Sequence, residues 1–127
     1  ARDNVAVIPM IETTTALEVL DDIVAVDGID AVYVGPADLS LTLGLPPRNN
    51  DDADSFTDAI GAVADACERA GVVAGIHSTG ELTPRRVERG FRMVTVTADN
   101  VAMRLGLAAE LESARGGGSS GGDGSMY

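Results

Sequence analysis

Glu12 ends one short apolar run, Val5-Ala6-Val7-Ile8-Pro9-Met10-Ile11, and Asp38 comes just past the end of another, Ala31-Val32-Tyr33-Val34. A carboxylate at the dry end of such a run is costly unless it is paired or coordinated. Two of them on neighbouring strands can share one hard divalent cation, with waters or substrate oxygens completing an octahedron. The same acids have a plainer reading, in which Glu12 caps a following helix and Asp38 caps its own loop. Residue type and spacing leave both open. Asp38 closes the string Gly35-Pro36-Ala37-Asp38. Glycine lets backbone N–H groups approach a ligand, and amides leading into a helix favour an anion, so a carboxylate or phosphate could dock there. An ordinary Gly-Pro turn is the alternative. His77, the single histidine, could move a proton. With no orienting partner evident in the sequence, we read it as a residue of the site's rim. Ser40, Ser78 and Asp99 also fall near strand ends, and Asp99 suits a helix cap better than chemistry.

Equally informative is a missing residue type. All nine basic residues are arginine and none is lysine. A Schiff-base aldolase, a pyridoxal enzyme with its own lysine and a P-loop all need that amine, so all three are excluded. The formal net charge of −11 repels phosphate backbones and anionic lipid, which sets nucleic-acid and membrane-surface roles aside. The lone Cys67 allows neither an internal disulfide nor a cysteine metal cluster, and its apolar helical surroundings suit a small buried hydrophobe. No apolar run is long enough for a transmembrane helix, and no basic-then-apolar signal peptide opens the chain. A cytoplasmic protein is expected. The start at Ala1, without Met, suits either a trimmed N-terminus or an excised part of something longer.

Four pairs of elements must position these groups. A strand over 5–10 is expected, followed by a helix whose Thr15-x-x-Glu18 has capping-box spacing and whose Leu17, Leu20 and Val24 share a face. Strand 31–34 reads as near-continuously apolar, as a parallel strand covered on both faces does. A long connection over 35–52 follows, and connections of that length are usually functional. Phe56, Ile60, Val63 and Cys67 mark a second helix ending at Gly71. Then come a strand at 72–76, a short helix opening at Thr83-Pro84, a strand at 91–97 and a last helix through Val101, Leu105 and Ala108. Residues 116–127 are Gly/Ser-rich and read as a flexible tail, leaving 1–115 as one domain. Four consecutive βα units predict an α/β fold with a parallel sheet. An open doubly wound sheet or half of a (β/α)8 TIM barrel would satisfy it, since a whole barrel takes about 250 residues. In either, ligands bind at the carboxyl ends of the strands, where Glu12, Asp38 and His77 fall.

Ile11-Glu12-Thr13, Val26-Asp27-Gly28-Ile29-Asp30, Val34-Gly35-Pro36-Ala37-Asp38-Leu39-Ser40 and Leu43-Gly44 together resemble the HpcH/HpaI class of metal-dependent pyruvate aldolases, relatives of the citrate lyase β-type proteins. Ala74-Gly75-Ile76 and Gly90-Phe91-Arg92-Met93-Val94-Thr95-Val96 match as well. The resemblance runs over nearly all of 4–111. The Gly-Pro-Ala-Asp-Leu-Ser block, at its distance from Ile-Glu, is its specific part, and the Gly-Pro form is nearer the pyruvate aldolases than the lyase relatives.

The resemblance implies the C-terminal half of a (β/α)8 barrel. It implies Glu12 and Asp38 as the protein ligands of a Mg²⁺ or Mn²⁺ ion, with Co²⁺ a further candidate. It places the pyruvate carboxylate on the amides of Ala37 and Asp38, beside Gly35 and Pro36, and puts His77 on the aldehyde side. The implied reaction is reversible cleavage of a 4-hydroxy-2-oxo acid to pyruvate and an aldehyde. The missing lysine agrees, because an enolate then needs electrostatic stabilisation, which a chelated divalent ion gives. The family's proton-transferring His and keto-binding Arg come from the N-terminal half, and nothing here matches them, so no catalytic residue is assigned. A half barrel exposes its edge strands, so a homo-oligomer or pairing with a complementary N-terminal half is expected. Two other classes compete. One is a non-catalytic metal- or pyruvate-binding or assembly module. The other is a phospho-receiver domain, which needs a strand-end Lys and paired acids where Glu12 stands alone.

Overall fold

Pro9 decides how the first strand begins. The computed structural model describes residues 5–116, and within them β1 is only Met10–Ile11. Proline has no N–H to give a ladder, so Pro9 pairs only through its carbonyl, and Val7 N turns to the Asp30 side chain, donating to Oδ2 at 2.8 Å. Val7 O accepts from Asp30 N at 3.1 Å and Pro9 O from Tyr33 N at 2.9 Å. The strand expected over 5–10 is therefore extended chain that becomes a ladder only at its end. Two helices follow where one is expected, α1 Thr14–Glu18 and α2 Leu20–Val24, divided at Val19. Their start is capped by Thr13, not Thr15. Thr13 is the last extended residue leaving the strand (φ −135°, ψ 153°), and its side chain accepts from Ala16 N.

The remaining elements are β2 Ala31–Val34, α3 Pro36–Thr42, α4 Asp54–Ala70, β3 Val73–His77, α5 Thr83–Glu88, β4 Met93–Thr95 and α6 Asp99–Ala114. α3 lies inside the long connection expected over 35–52. Pro36 presets the backbone of its first turn, a helix start that Gly and Pro punctuation disguised. α4 has its expected buried face and ends on Gly71 in the left-handed region (φ 71°), which a glycine adopts without steric cost. Ahead of α5, Leu82 is the cap residue and offers no side-chain bond; Thr83 lies inside the helix and donates back to Thr79 O at 2.7 Å. The chain divides into two compact units, one reaching to Val96 and the other beginning at Thr97. In the second, α6 buries no residue. The tail expected to be flexible, apart from Gly116, lies outside the described residues. Among the described residues no helix is long and apolar enough to cross a membrane.

The four strands are all parallel and ordered β1-β2-β3-β4. A doubly wound sheet reverses its order at a switch point; this one adds each strand beside the last, as a barrel wall does, so the fold is a half (β/α)8 barrel. Register and alternation sort its side chains into two faces. Ile11, Val34 and Ile76 share one row, each fully buried, and with Val32 and Ala74 they meet Leu20, Val24, Phe56, Ile60, Val63 and Cys67 in the core. The opposite row is Met10, Tyr33, Gly75 and Met93. Met10 there is 51% exposed, and Tyr33 and Met93 are half-buried. On β2 itself, Val32 and Val34 are sealed on the core face, while on the other face Ala31 is buried and Tyr33 half-buried, close to the two-sided coverage expected. A side chain at Gly75 would strike Tyr33 and Met93, so that glycine gives two large neighbours room to lie across the sheet.

Candidate functional site

Parallel pairing of β1 with β2 brings their carboxyl ends side by side, Ile11 opposite Val34. The contact continues past the ladder, where Gly35 N donates to Ile11 O at 3.3 Å. Glu12 follows Ile11 directly, and its carboxylate leans over Gly35: a Cβ there would lie 3.1 Å from Glu12 Oε2. Only a residue without a side chain leaves that space to the acid. α3 then starts at Pro36, with Gly35 as a cap that has no side chain to offer. The Ala37 and Asp38 amides stand in its first turn, where N–H groups have no partner within the helix. Asp38 itself is in that turn and exposed.

Neither carboxylate is spent on structure. Thr13 takes the cap of α1, and among the described residues neither Glu12 nor Asp38 accepts a side-chain hydrogen bond or joins an ion pair. The capping alternative raised by the sequence is not realised. No group of three or more His, Cys, Asp or Glu side chains is placed to hold a metal among the described residues. Two carboxylates and a first turn open to solvent fit a hard ion of the Mg²⁺ kind, which keeps several waters and needs only one or two protein acids.

Gly35, Pro36, Ala37, Asp38 and His77 line one cleft of about 330 Å³. Glu12 is not part of that lining; its carboxylate lies against Gly35, which is. His77 closes β3, opposite Thr95 on β4, and is half-buried. The cleft also holds residues that motif reading missed: Met10, Tyr33, Arg48 and Asn49. Tyr33 is fixed by donating to Thr95 Oγ1 at 2.6 Å. Period-two alternation could have placed Met10 and Tyr33 on His77's face. Nothing marked Arg48 and Asn49 except a connection rich in Pro and Asn.

Three other strand-end residues have structural work. Ser40 is buried, donates to Arg48 O at 2.9 Å and accepts from Asn50 Nδ2 at 2.8 Å. Ser78 is buried with its hydroxyl on Thr79 O. Asp99 opens α6 in the second unit and accepts from Asn100 N at 2.7 Å, while Ala98 is the cap residue. Arg86 drew no notice in the sequence. It is 3% exposed, forks onto both Asp51 oxygens at 2.6 and 2.7 Å, donates to Asn49 Oδ1 at 3.1 Å and lies 5.9 Å from the Phe56 ring centre. It ties α5 to the loop behind the cleft.

Residues 1–106 match the model of the HpcH/HpaI aldolase/citrate lyase family. A hydroxypyruvate/pyruvate aldolase of Rhizorhabdus wittichii is 37% identical over 100 residues, 78% of this chain and 40% of that protein. A 2-dehydro-3,6-dideoxy-6-sulfogluconate aldolase of Pseudomonas putida is 39% identical over 114 residues, 87% of this chain and 43% of that protein. Among solved structures, an HpcH/HpaI aldolase/citrate lyase family protein of Burkholderia cenocepacia superposes with a TM-score of 0.81 at 30% identity, covering 89% of this chain and 44% of that one. The chain thus spans about two fifths of the curated relatives' length.

Proposed function

This chain belongs to the HpcH/HpaI aldolase/citrate lyase family, and on that premise we propose that it is the metal- and pyruvate-binding half of an aldolase that reversibly cleaves a 4-hydroxy-2-oxo acid to pyruvate and an aldehyde. The observation that carries this reading is the pair of unspent carboxylates, Glu12 lying over Gly35 and Asp38 one turn on, beside first-turn amides with no side-chain cap. Glu12 and Asp38 would hold a divalent ion, Mg²⁺ or Mn²⁺. Such an ion, when bound, supplies positive charge where the enolate oxygen of pyruvate develops its negative charge.

The chain's own residues do the rest. The Ala37 and Asp38 N–H groups receive the carboxylate of pyruvate, and Gly35 lets it approach because no side chain intervenes. Pro36, buried, holds that turn in place. His77, Met10 and Tyr33 shape the opposite wall, where the aldehyde fits. No residue of the cleft is assigned the proton transfer; that group belongs to a complementary half of the barrel, which would cover the exposed Met10 and the half-buried Tyr33 and Met93. Names among the relatives, a pyruvate aldolase and a sulfogluconate aldolase, support the reaction class and leave the acceptor open. Thermal denaturation tests the reading. Mg²⁺ or Mn²⁺ added with pyruvate should raise the midpoint of the parent chain, and Glu12→Gln or Asp38→Asn should abolish the rise. An unshifted midpoint in the parent chain would count against it.

A further inference from the structure

Among the buried side chains of the described residues, Arg86 is left with an idle donor. Its Nη1 and Nη2 are taken up by Asp51 and Asn49. Its Nε, sealed from solvent, donates to no group among the described residues. A buried donor without an acceptor is costly, and more so on a charged group. Arg86 also lines a cleft of about 350 Å³ between α4 and α5, together with Arg85 and Arg89. Arg85 is exposed and joins no ion pair among the described residues. Arg89 lies across α4 at Gly61, where a Cβ would strike its guanidinium. A glycine inside a helix is destabilising, and here it leaves the guanidinium a place to rest. The partner of Arg89 is Asp65, in a pair about half-exposed on both sides, and such a pair yields readily to a better acceptor.

Asp51 and Glu88 are the acids of this lining, and Asp51 is already gripped by Arg86. Three arginines against two acids leave the cleft a positive surplus, in a chain whose formal net charge is −11. Guanidinium groups recognise oxyanions by directed, charge-assisted hydrogen bonds. Three of them around one space suit an ion with more oxygens than the two of a carboxylate. We propose that this cleft is a second ligand site, one that binds a phosphate group, either the free ion or a monoester. Arg85 and Arg89 donate to its outer oxygens, and a further oxygen gives Arg86 Nε the acceptor it lacks. The site shares no lining residue with the cleft of Gly35 and His77, so it stands independently of the metal and pyruvate reading.

Titration of the ¹⁵N-labelled chain with inorganic phosphate, and separately with glycerol 3-phosphate, tests it by nuclear magnetic resonance at ionic strength held constant with chloride. The Arg86 Nε–Hε cross-peak, assigned through bonds from the backbone, should move downfield and saturate as the hydrogen bond forms. Arg85→Gln changes an exposed side chain that holds nothing else in place, and it should weaken binding about tenfold. Glu88→Gln removes an opposing charge and should strengthen binding. Arg48→Gln, in the other cleft, should leave it unchanged. Tighter binding of glycerol 3-phosphate would assign the site to a monoester, and tighter binding of inorganic phosphate to the free ion. An Arg86 cross-peak that neither anion moves would leave Nε to water and overturn the site. So would binding undiminished in Arg85→Gln, or shifts confined to the Ala37 and Asp38 amides, since the anion would then sit at the start of α3.

Discussion

Gly35 concentrates several demands in one residue. Its N–H prolongs the β1–β2 pairing, its carbonyl accepts from Leu39 N at 2.9 Å, and its missing side chain leaves room for the Glu12 carboxylate. Its backbone (φ −93°, ψ 94°) suits any residue, so the glycine answers to space, not conformation. In Gly35→Ala the new methyl would lie 3.1 Å from Glu12 Oε2 and from Met10 Cε, the ends of two flexible side chains. The fold should survive and the carboxylate should move. We expect Mn²⁺ affinity to fall about tenfold, as when ligands lose their positioning, with the urea midpoint little changed. Cys67 gives a second prediction at this scale. Burial pushes its thiol up from 9.0 to about 11. Below pH 9 the thiol is neutral in both folded and unfolded chains and its contribution is intact. Between pH 9 and 11 the unfolded chain ionises first, so stability falls through that window. Cys67→Ala should flatten that part of the stability–pH profile, measured by urea denaturation. At neutral pH the native thiol should resist alkylation.

At the scale of elements, the long connection after β2 is built as firmly as the helices beside it. Asp51 is 13% and Arg86 3% exposed at the side chain, and removing one partner of such a pair strands a buried charge. Asp51→Ala should therefore cost about 3 kcal/mol or more in urea denaturation. It should also loosen the loop that carries Arg48 and Asn49, visible as faster amide exchange over 46–52. Legibility differed between elements for physical reasons. The amphipathic stripe of α4 and its Gly71 stop were plain, because a helix packed on one face imposes a 3.6-residue period. β2 was plain as a strand, yet the partial exposure of Tyr33 was not, since such a residue reads alike whether or not a neighbour covers it. The start of α3 was left open, because Gly-Pro marks a turn and a helix start alike. Within the site, Gly35, Pro36, Ala37, Asp38 and His77 were legible as strand-end residues and do share a cleft. Arg48 and Arg86 were not, since their placement depends on contacts with Asn50 and Asp51 that no local period encodes.

For the molecule as a whole, the two faces of the sheet set the expectation. One row of side chains, Ile11, Val34 and Ile76, is sealed under helices, while Met10 and Val73 on the other face are 51% and 41% exposed. The edge strands β1 and β4 also end the sheet among the described residues. Apolar surface of this kind associates in water. Sedimentation equilibrium should find self-association at micromolar concentration. Adding a chain that carries the complementary four βα units should replace it with a one-to-one complex.

Whether Glu12 and Asp38 hold one divalent ion between them is read most directly by Mn²⁺ titration followed by electron paramagnetic resonance. If they do, the free-ion signal should be suppressed until one Mn²⁺ is bound per chain. Glu12→Gln and Asp38→Asn, each checked for native circular dichroism, should each abolish that binding. Uptake of one ion per chain undiminished in both variants would contradict the shared site, and so would no uptake by the parent chain.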